Sequence, residues 1–164
     1  MTGSIGDLLS VKQKEALLTS LVSEGDVFRM HLGEDEGVKG KHPNEKGRNK
    51  YFVVIGTDSQ GNAFGFVLIN SVINQALPQK RKDKHYPLFA KDYPFLEGKN
   101  RFVDCSDFKV ISKSKFAQLF GSQTTKSRLK EKDITFIKQE IISYEDVSPK
   151  LLKRFGLIEE TAEL

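Results

Sequence analysis

This chain is poor in residues that cross-link or bind metals. Cys105 is its one cysteine, so an internal disulfide framework is excluded. Its three histidines, His31, His42 and His85, are scattered and show no zinc-ligand spacing. No cofactor is therefore expected. Long apolar runs are also missing. None approaches the ~18 residues of a membrane helix, so no membrane partner is expected. The opening MTGSIGDLLSVKQKE has no basic region followed by an apolar stretch, as a secretion signal would. A cytoplasmic location is the resulting expectation. No period of roughly 20–50 residues repeats, and no segment is low in complexity.

What is present suits a folded domain. The chain has 164 residues, 38% hydrophobic and 29% charged, enough to bury a core without staples. One domain over residues 1–164 is the simplest reading. The charge is unevenly spread. Lys39, Lys41, Lys46, Arg48 and Lys50 share one segment with Glu45, and KRKDK follows at 80–84. The two segments together carry +7, against +4 for the whole chain, while the tail EETAEL is acidic. Two readings compete: solvated surface loops, or a binding surface for a polyanion.

The apolar spacing of 11–23 predicts a helix, with Ser10 as cap and Gly25 as stop. GDVFRMHL alternates. Val27, Arg29 and His31 fall on one side, and Phe28, Met30 and Leu32 on the other, as in a strand. A loop over 33–49 leads to YFVVIG. The turn DSQGN then joins YFVVIG to AFGFVLIN, which predicts an antiparallel hairpin. Gly65 inside the second strand suggests a bend or bulge. The proline-bearing stretch from Ile73 to Asn100 reads as an irregular excursion. RFVDCSDFKVIS predicts one or two more strands, and KSKFAQLFG a short helix closed by Gly121. DITFIKQEIIS predicts an amphipathic helix capped by Asp133, with Ile134, Phe136, Ile137 and Ile141 on one side. SPKLLKRFGL predicts a last helix with Ser148 as cap, Pro149 in the first turn and Gly156 as stop. The sum is α+β: a small, strongly bent antiparallel barrel over about 25–112 with helices at both ends.

GDVFRMHLG, the basic Gly-containing loop, the Arg/Lys entry into YFVVIG, and the strand ending VLINS together resemble the MazF/PemK toxins. Those are Src-homology-3-like barrels that cleave single-stranded RNA without a metal. The likeness covers roughly residues 25–120. The middle of the chain, with HYPLF and DYPFLEGKNRFVDCS, looks closer to the ToxN/AbiQ group, toxins of RNA-antitoxin systems with the same barrel. The resemblance implies single-stranded RNA and an antitoxin, protein or RNA, as partners, and a homodimer. The alternative is a non-catalytic nucleic-acid- or protein-binding module on the same fold. The C-terminal helices could also cover the barrel and leave it monomeric.

Carried over residue by residue, the resemblance places Lys50 where those families have a basic residue before the first hairpin strand, with Arg48 two positions earlier. It places Asn70 and Ser71 where they have Thr or Ser at the end of the partner strand. A later Arg-Cys-Asp of the PemK type stands here as Asp104-Cys105-Ser106. Metal-free cleavage needs a base for the ribose 2′-OH, a cation for the developing charge and a donor for the leaving oxygen. Lys50 is the candidate cation, and Arg48 a bidentate phosphate holder. Asn70 and Ser71 are candidate orienting groups, or simply turn residues. His42 is the candidate base, since it titrates near neutrality within the basic loop. Lys39, Lys41, Lys46, Lys80, Arg81 and Lys82 are candidate RNA-binding residues. Lys50 starts one strand and Ser71 follows its partner, so the hairpin predicts that both lie at one end of the sheet. The two basic segments are then expected to form opposite sides of one groove. His85, beside Tyr86 and Phe89, is a candidate for base stacking or for packing. Cys105 reads as a small buried residue. Asp104 and Asp107 have no carboxylate cluster around them, and no metal site is expected.

Overall fold

The structure is a computed structural model, and it describes residues 10–159. The acidic tail beyond Glu159 lies outside the described residues. Among those described, seven strands form one antiparallel sheet: β1 (Asp26–Leu32), β2 (Arg48–Thr57), β3 (Ala63–Asn70), β4 (His85–Leu88), β5 (Arg101–Asp104), β6 (Lys109–Ser112) and β7 (Thr125–Arg128). The order across the sheet is β4-β5-β3-β2-β1-β7, and β6 also pairs with β3. β5 takes the end of β3 at Ile69 and Asn70, and β6 takes its start from Ala63 to Phe66. The sheet curls into a half-barrel. With α1 (Val11–Thr19), α2 (Gln79–Lys82), α3 (Lys113–Leu119), α4 (Glu131–Ser143) and α5 (Pro149–Arg154) around it, the class is α+β. The expected small bent antiparallel barrel with peripheral helices is the architecture found.

Both faces of the sheet are buried, which explains why β2 and β3 read as continuous apolar runs rather than alternating ones. Inside the curl, Phe28, Phe52, Phe64 and Phe66 pack around Phe116 of α3. Edge-on ring contacts at 5.1–5.2 Å tie Phe116 to Phe28 and Phe64. On the outer face Val27, Val53, Ile55, Val67 and Val103 pack against Ile134, Ile137 and Ile141 of α4 and Leu152 and Phe155 of α5. The C-terminal helices thus cover the outer face of the barrel.

Several local expectations are corrected. The first helix stops at Thr19, not near Gly25. Gly25 has φ +91° and serves the turn into β1, where its N–H donates to the Val54 carbonyl at 2.8 Å. The ladder irregularity lies between Val54 and Gly56 on β2, not in β3. Gly65 has a different use: a Cβ there would stand 2.3 Å from Phe108 Cζ, so the absent side chain lets that ring lie on the strand. The stretch expected to be irregular holds α2, β4 and two 3₁₀ turns. Pro87 is tolerated because β4 is a sheet edge. The polar edge strand β7 was not expected. Its Lys126 and Arg128 pair with buried Asp26 at 3.4 and 3.2 Å. The cap of α4 is Lys130 rather than Asp133. Asp133 is buried and accepts hydrogen bonds from Tyr86 Oη at 2.5 Å and from Tyr93 Oη. These bonds fasten β4 and the following turn to α4. Phe136, expected on the apolar side, is exposed and stacks on Tyr86 at 6.1 Å. α5 starts as its sequence predicts, with Ser148 Oγ accepting from Leu151 N–H and Pro149 in the first turn.

Candidate anion-binding cleft

The hairpin register sets the site. β2 pairs with β3 through Tyr51↔Ile69 and Phe52↔Leu68, so Lys50 and Asn70 meet at one end of the sheet. Lys50 Nζ donates to Asn70 Oδ1 at 2.5 Å. Ser71 follows directly as β3 ends. A cleft of about 340 Å³ opens here, lined by Arg48, Lys50, Asn70 and Ser71 from the hairpin and by Arg81 and His85 from the segment around α2. Asp104 of β5 closes its wall, because β4 pairs with β5 in the register His85↔Asp104.

Each wall residue is held. Arg81 Nε donates to Ser106 Oγ at 2.8 Å, and its Nη2 lies 3.4 Å from Asp104 Oδ2. Asp104 Oδ1 also accepts from Ser106 N–H at 3.0 Å and from Ser106 Oγ–H at 2.6 Å. His85 is almost fully enclosed, and its Nδ1 faces the carbonyls of Arg81 at 2.9 Å and Lys82 at 3.2 Å. Carbonyls only accept, so Nδ1 carries a proton. In the neutral ring Nε2 is then the bare nitrogen, 3.7 Å from Asp104 Oδ1.

The cleft raises the energy of the Lys50 ammonium. Lys50 is brought down from 10.5 to about 8, chiefly by burial and then by the nearby charges of Arg48 and Arg101, with Asp104 opposing. A second, smaller cleft of about 180 Å³ shares Arg48, Lys50 and Ser71 and adds Arg29, Tyr51 and Arg101. Arg29 and Arg101 lie over the Tyr51 ring at 5.8 and 5.1 Å. Several cations elsewhere are paired: Lys80 with Asp146 at 2.9 Å, Lys138 with Glu24 at 3.0 Å, Arg154 with Asp58 at 3.3 Å. Among the described residues Arg29, Arg48 and Arg101 have no such carboxylate, and Arg101 Nε is buried without any hydrogen-bond partner.

The structure gathers Arg48, Lys50, Asn70, Ser71 and Arg81 of the residues singled out in the sequence. The rest lie elsewhere. His42 is exposed on the loop after Val38, with Glu45 as its neighbour at 3.9 Å, and lines neither cleft. Lys39 and Lys41 are exposed on that loop, and Lys46 lines a separate cleft with His31 and Lys115. Lys80 turns to Glu145 and Asp146, and Lys82 Nζ donates to the Gln75 carbonyl at 3.3 Å. Of the two basic segments, only Arg48 and Lys50 from the first and Arg81 from the second therefore reach the groove.

His85 was a candidate only for base stacking or packing, and Asp104, Arg29 and Arg101 were not among the candidates. The β4–β5 pairing that joins the first two carries no sequence pattern. Arg29, a cation alternating with Val27 on a buried strand, was the one visible signal. Cys105 is fully buried, and burial pushes its thiol up, away from thiolate chemistry. Among the described residues no group of three or more His, Cys, Asp or Glu side chains could hold a metal, and no helix is long and apolar enough to cross a membrane.

Fold and site together define a class: an α+β half-barrel with a cation-lined cleft at the end of its central hairpin. The chain matches no protein-family model, no curated protein and no solved structure.

Proposed function

We propose that this protein binds single-stranded RNA and cuts it without a metal, as a toxin-type endoribonuclease with an antitoxin, protein or RNA, as its natural partner and a homodimer as its working form. The observation that carries the reading is the convergence of unpaired Arg48 and partly buried Lys50 with the hydrogen-bonding groups of Asn70 and Ser71 on one cleft. Cations this close repel one another, and a bound phosphate removes that cost. The walls also hold a nitrogen base beside a nitrogen acid.

In this reading Arg48 and Arg81 hold the non-bridging oxygens, while Ser71 and Asn70 orient the phosphate. His85 Nε2 takes the proton of the 2′-OH. The 2′ oxygen attacks phosphorus and the P–O5′ bond breaks. The Lys50 ammonium gives its proton to the departing 5′ oxygen. The products are a 2′,3′-cyclic phosphate and a 5′-hydroxyl.

Binding is tested by fluorescence anisotropy with labelled single-stranded RNA across a salt series. Neutralising three to four phosphates gives a log–log slope of roughly −2 to −3. Arg48→Gln should flatten it by about 0.7, the share of one contact. A slope near zero, or one that Arg48→Gln leaves unchanged, removes the RNA reading. A steep slope with no cleavage assigns the non-catalytic binding module instead.

A further inference from the structure

We propose that Arg29 and Arg101, on the opposite side of the β2–β3 strand ends from the first cleft, form with Arg48, which the two clefts share, a second oxyanion subsite of the phosphate class. In the RNA reading on which this rests, it takes the phosphodiester adjacent to the one being cut.

The strand alternation separates the two sites. Tyr51 and Ile69 belong with the outer-face core, and Arg29 pairs with Tyr51 in the β1–β2 register. Arg101 is two residues from Val103 on β5 and so projects to that same face. Lys50, in contrast, alternates with Tyr51 and sits across from Asn70. The smaller cleft is therefore a distinct space that meets the first only at Arg48, Lys50 and Ser71.

Its chemistry points to an anion. Three guanidiniums meet there with no carboxylate partner among the described residues. The Tyr51 ring holds two of them, and its hydroxyl is already spent on the Phe95 carbonyl at 3.2 Å. A ring face offsets part of the charge but accepts no N–H in line. Arg101 Nε–H is left buried and unbonded. Buried polar groups are nearly always satisfied, so an orphaned N–H on a guanidinium that lines a polar cleft marks a missing acceptor. A phosphate oxygen supplies it and matches the guanidinium fork. Arg48, shared by both clefts, would bridge successive phosphates of one chain.

The wild-type protein suffices for the test. Arginine Nε–H signals are followed by 1H–15N NMR while inorganic phosphate, and separately a non-cleavable 2′-methoxy oligoribonucleotide, is added. Arg101→Lys identifies the Arg101 signal by its loss. The expected result is a saturable shift of that signal with both probes. Arg101→Gln is expected to weaken oligonucleotide binding about tenfold. A shift with phosphate but none with the oligonucleotide keeps the oxyanion site and removes the RNA reading beneath it. An Arg101 signal that ignores both probes overturns the inference.

Discussion

Lys50→Met is expected to lower cleavage of single-stranded RNA by at least about 100-fold, the range for losing a positioned proton donor, while making the protein more stable at neutral pH. The two effects have one cause. Lys50 is held half-buried between Arg48 and Arg101, and its folded-state value is about 8 instead of 10.5. Below pH 8 the amine is charged in both folded and unfolded chains, and the folded state bears the whole cost of burying that charge. Between 8 and 10.5 the unfolded chain binds more protons than the folded one, so stability rises with pH across this window. Above 10.5 the cost is gone. Met removes it at every pH. The gain is about 1–2 kcal/mol at pH 7, less than the full shift implies because water screens a half-buried amine. Urea melts at pH 7 and pH 10 should show the gap between variant and parent closing. Activity carried by the Lys50 ammonium should fall as pH passes about 8. A variant that is less stable at pH 7, or that cleaves normally, would show that Lys50 is only a strand-entry charge.

His85→Asn is expected to reduce the cleavage rate by about 100- to 10,000-fold, as loss of a general base does, with RNA affinity changed only a few-fold. The Asn side chain keeps a donor near the Nδ1 position, where His85 now faces the Arg81 and Lys82 carbonyls. It has nothing at the Nε2 position. The change therefore removes the base and spares the wall. Single-turnover rates measured beside anisotropy separate the two effects. A fall in affinity equal to the fall in rate would mean that His85 only shapes the cleft. His42→Asn is the matching control, expected to be without effect because His42 lies on an exposed loop outside the cleft.

The central hairpin was legible because β2 and β3 are buried on both faces and joined by a short turn, so composition alone marked them. Lys50 and Ser71 followed from its antiparallel geometry. The basic segments were less legible, since charge density says nothing about direction. Lys80 and Lys82 are as basic as Arg81, yet only Arg81 reaches the cleft, because Asp146 and the Gln75 carbonyl take the other two. β4 was hidden by Pro87 and by its mixed composition; its place depends on pairing with β5 and on Tyr86 reaching Asp133 across 47 positions of sequence. The place of His85 in the cleft, opposite Asp104, was lost with it. β7 carries TKSR, which has no strand pattern, and is held by the charged edge pairing with Asp26. Long-range pairing, not local propensity, decides these elements.

The most direct measurement is the chemistry of the cut ends. The purified protein is incubated with a 5′-labelled single-stranded RNA in excess EDTA, and the products are resolved against cyclic-phosphate and 3′-hydroxyl standards. The account predicts discrete cuts bearing 2′,3′-cyclic phosphate, absent with Lys50→Met and His85→Asn. Intact RNA, or cuts that leave 3′-hydroxyl ends or persist in both variants, would contradict it.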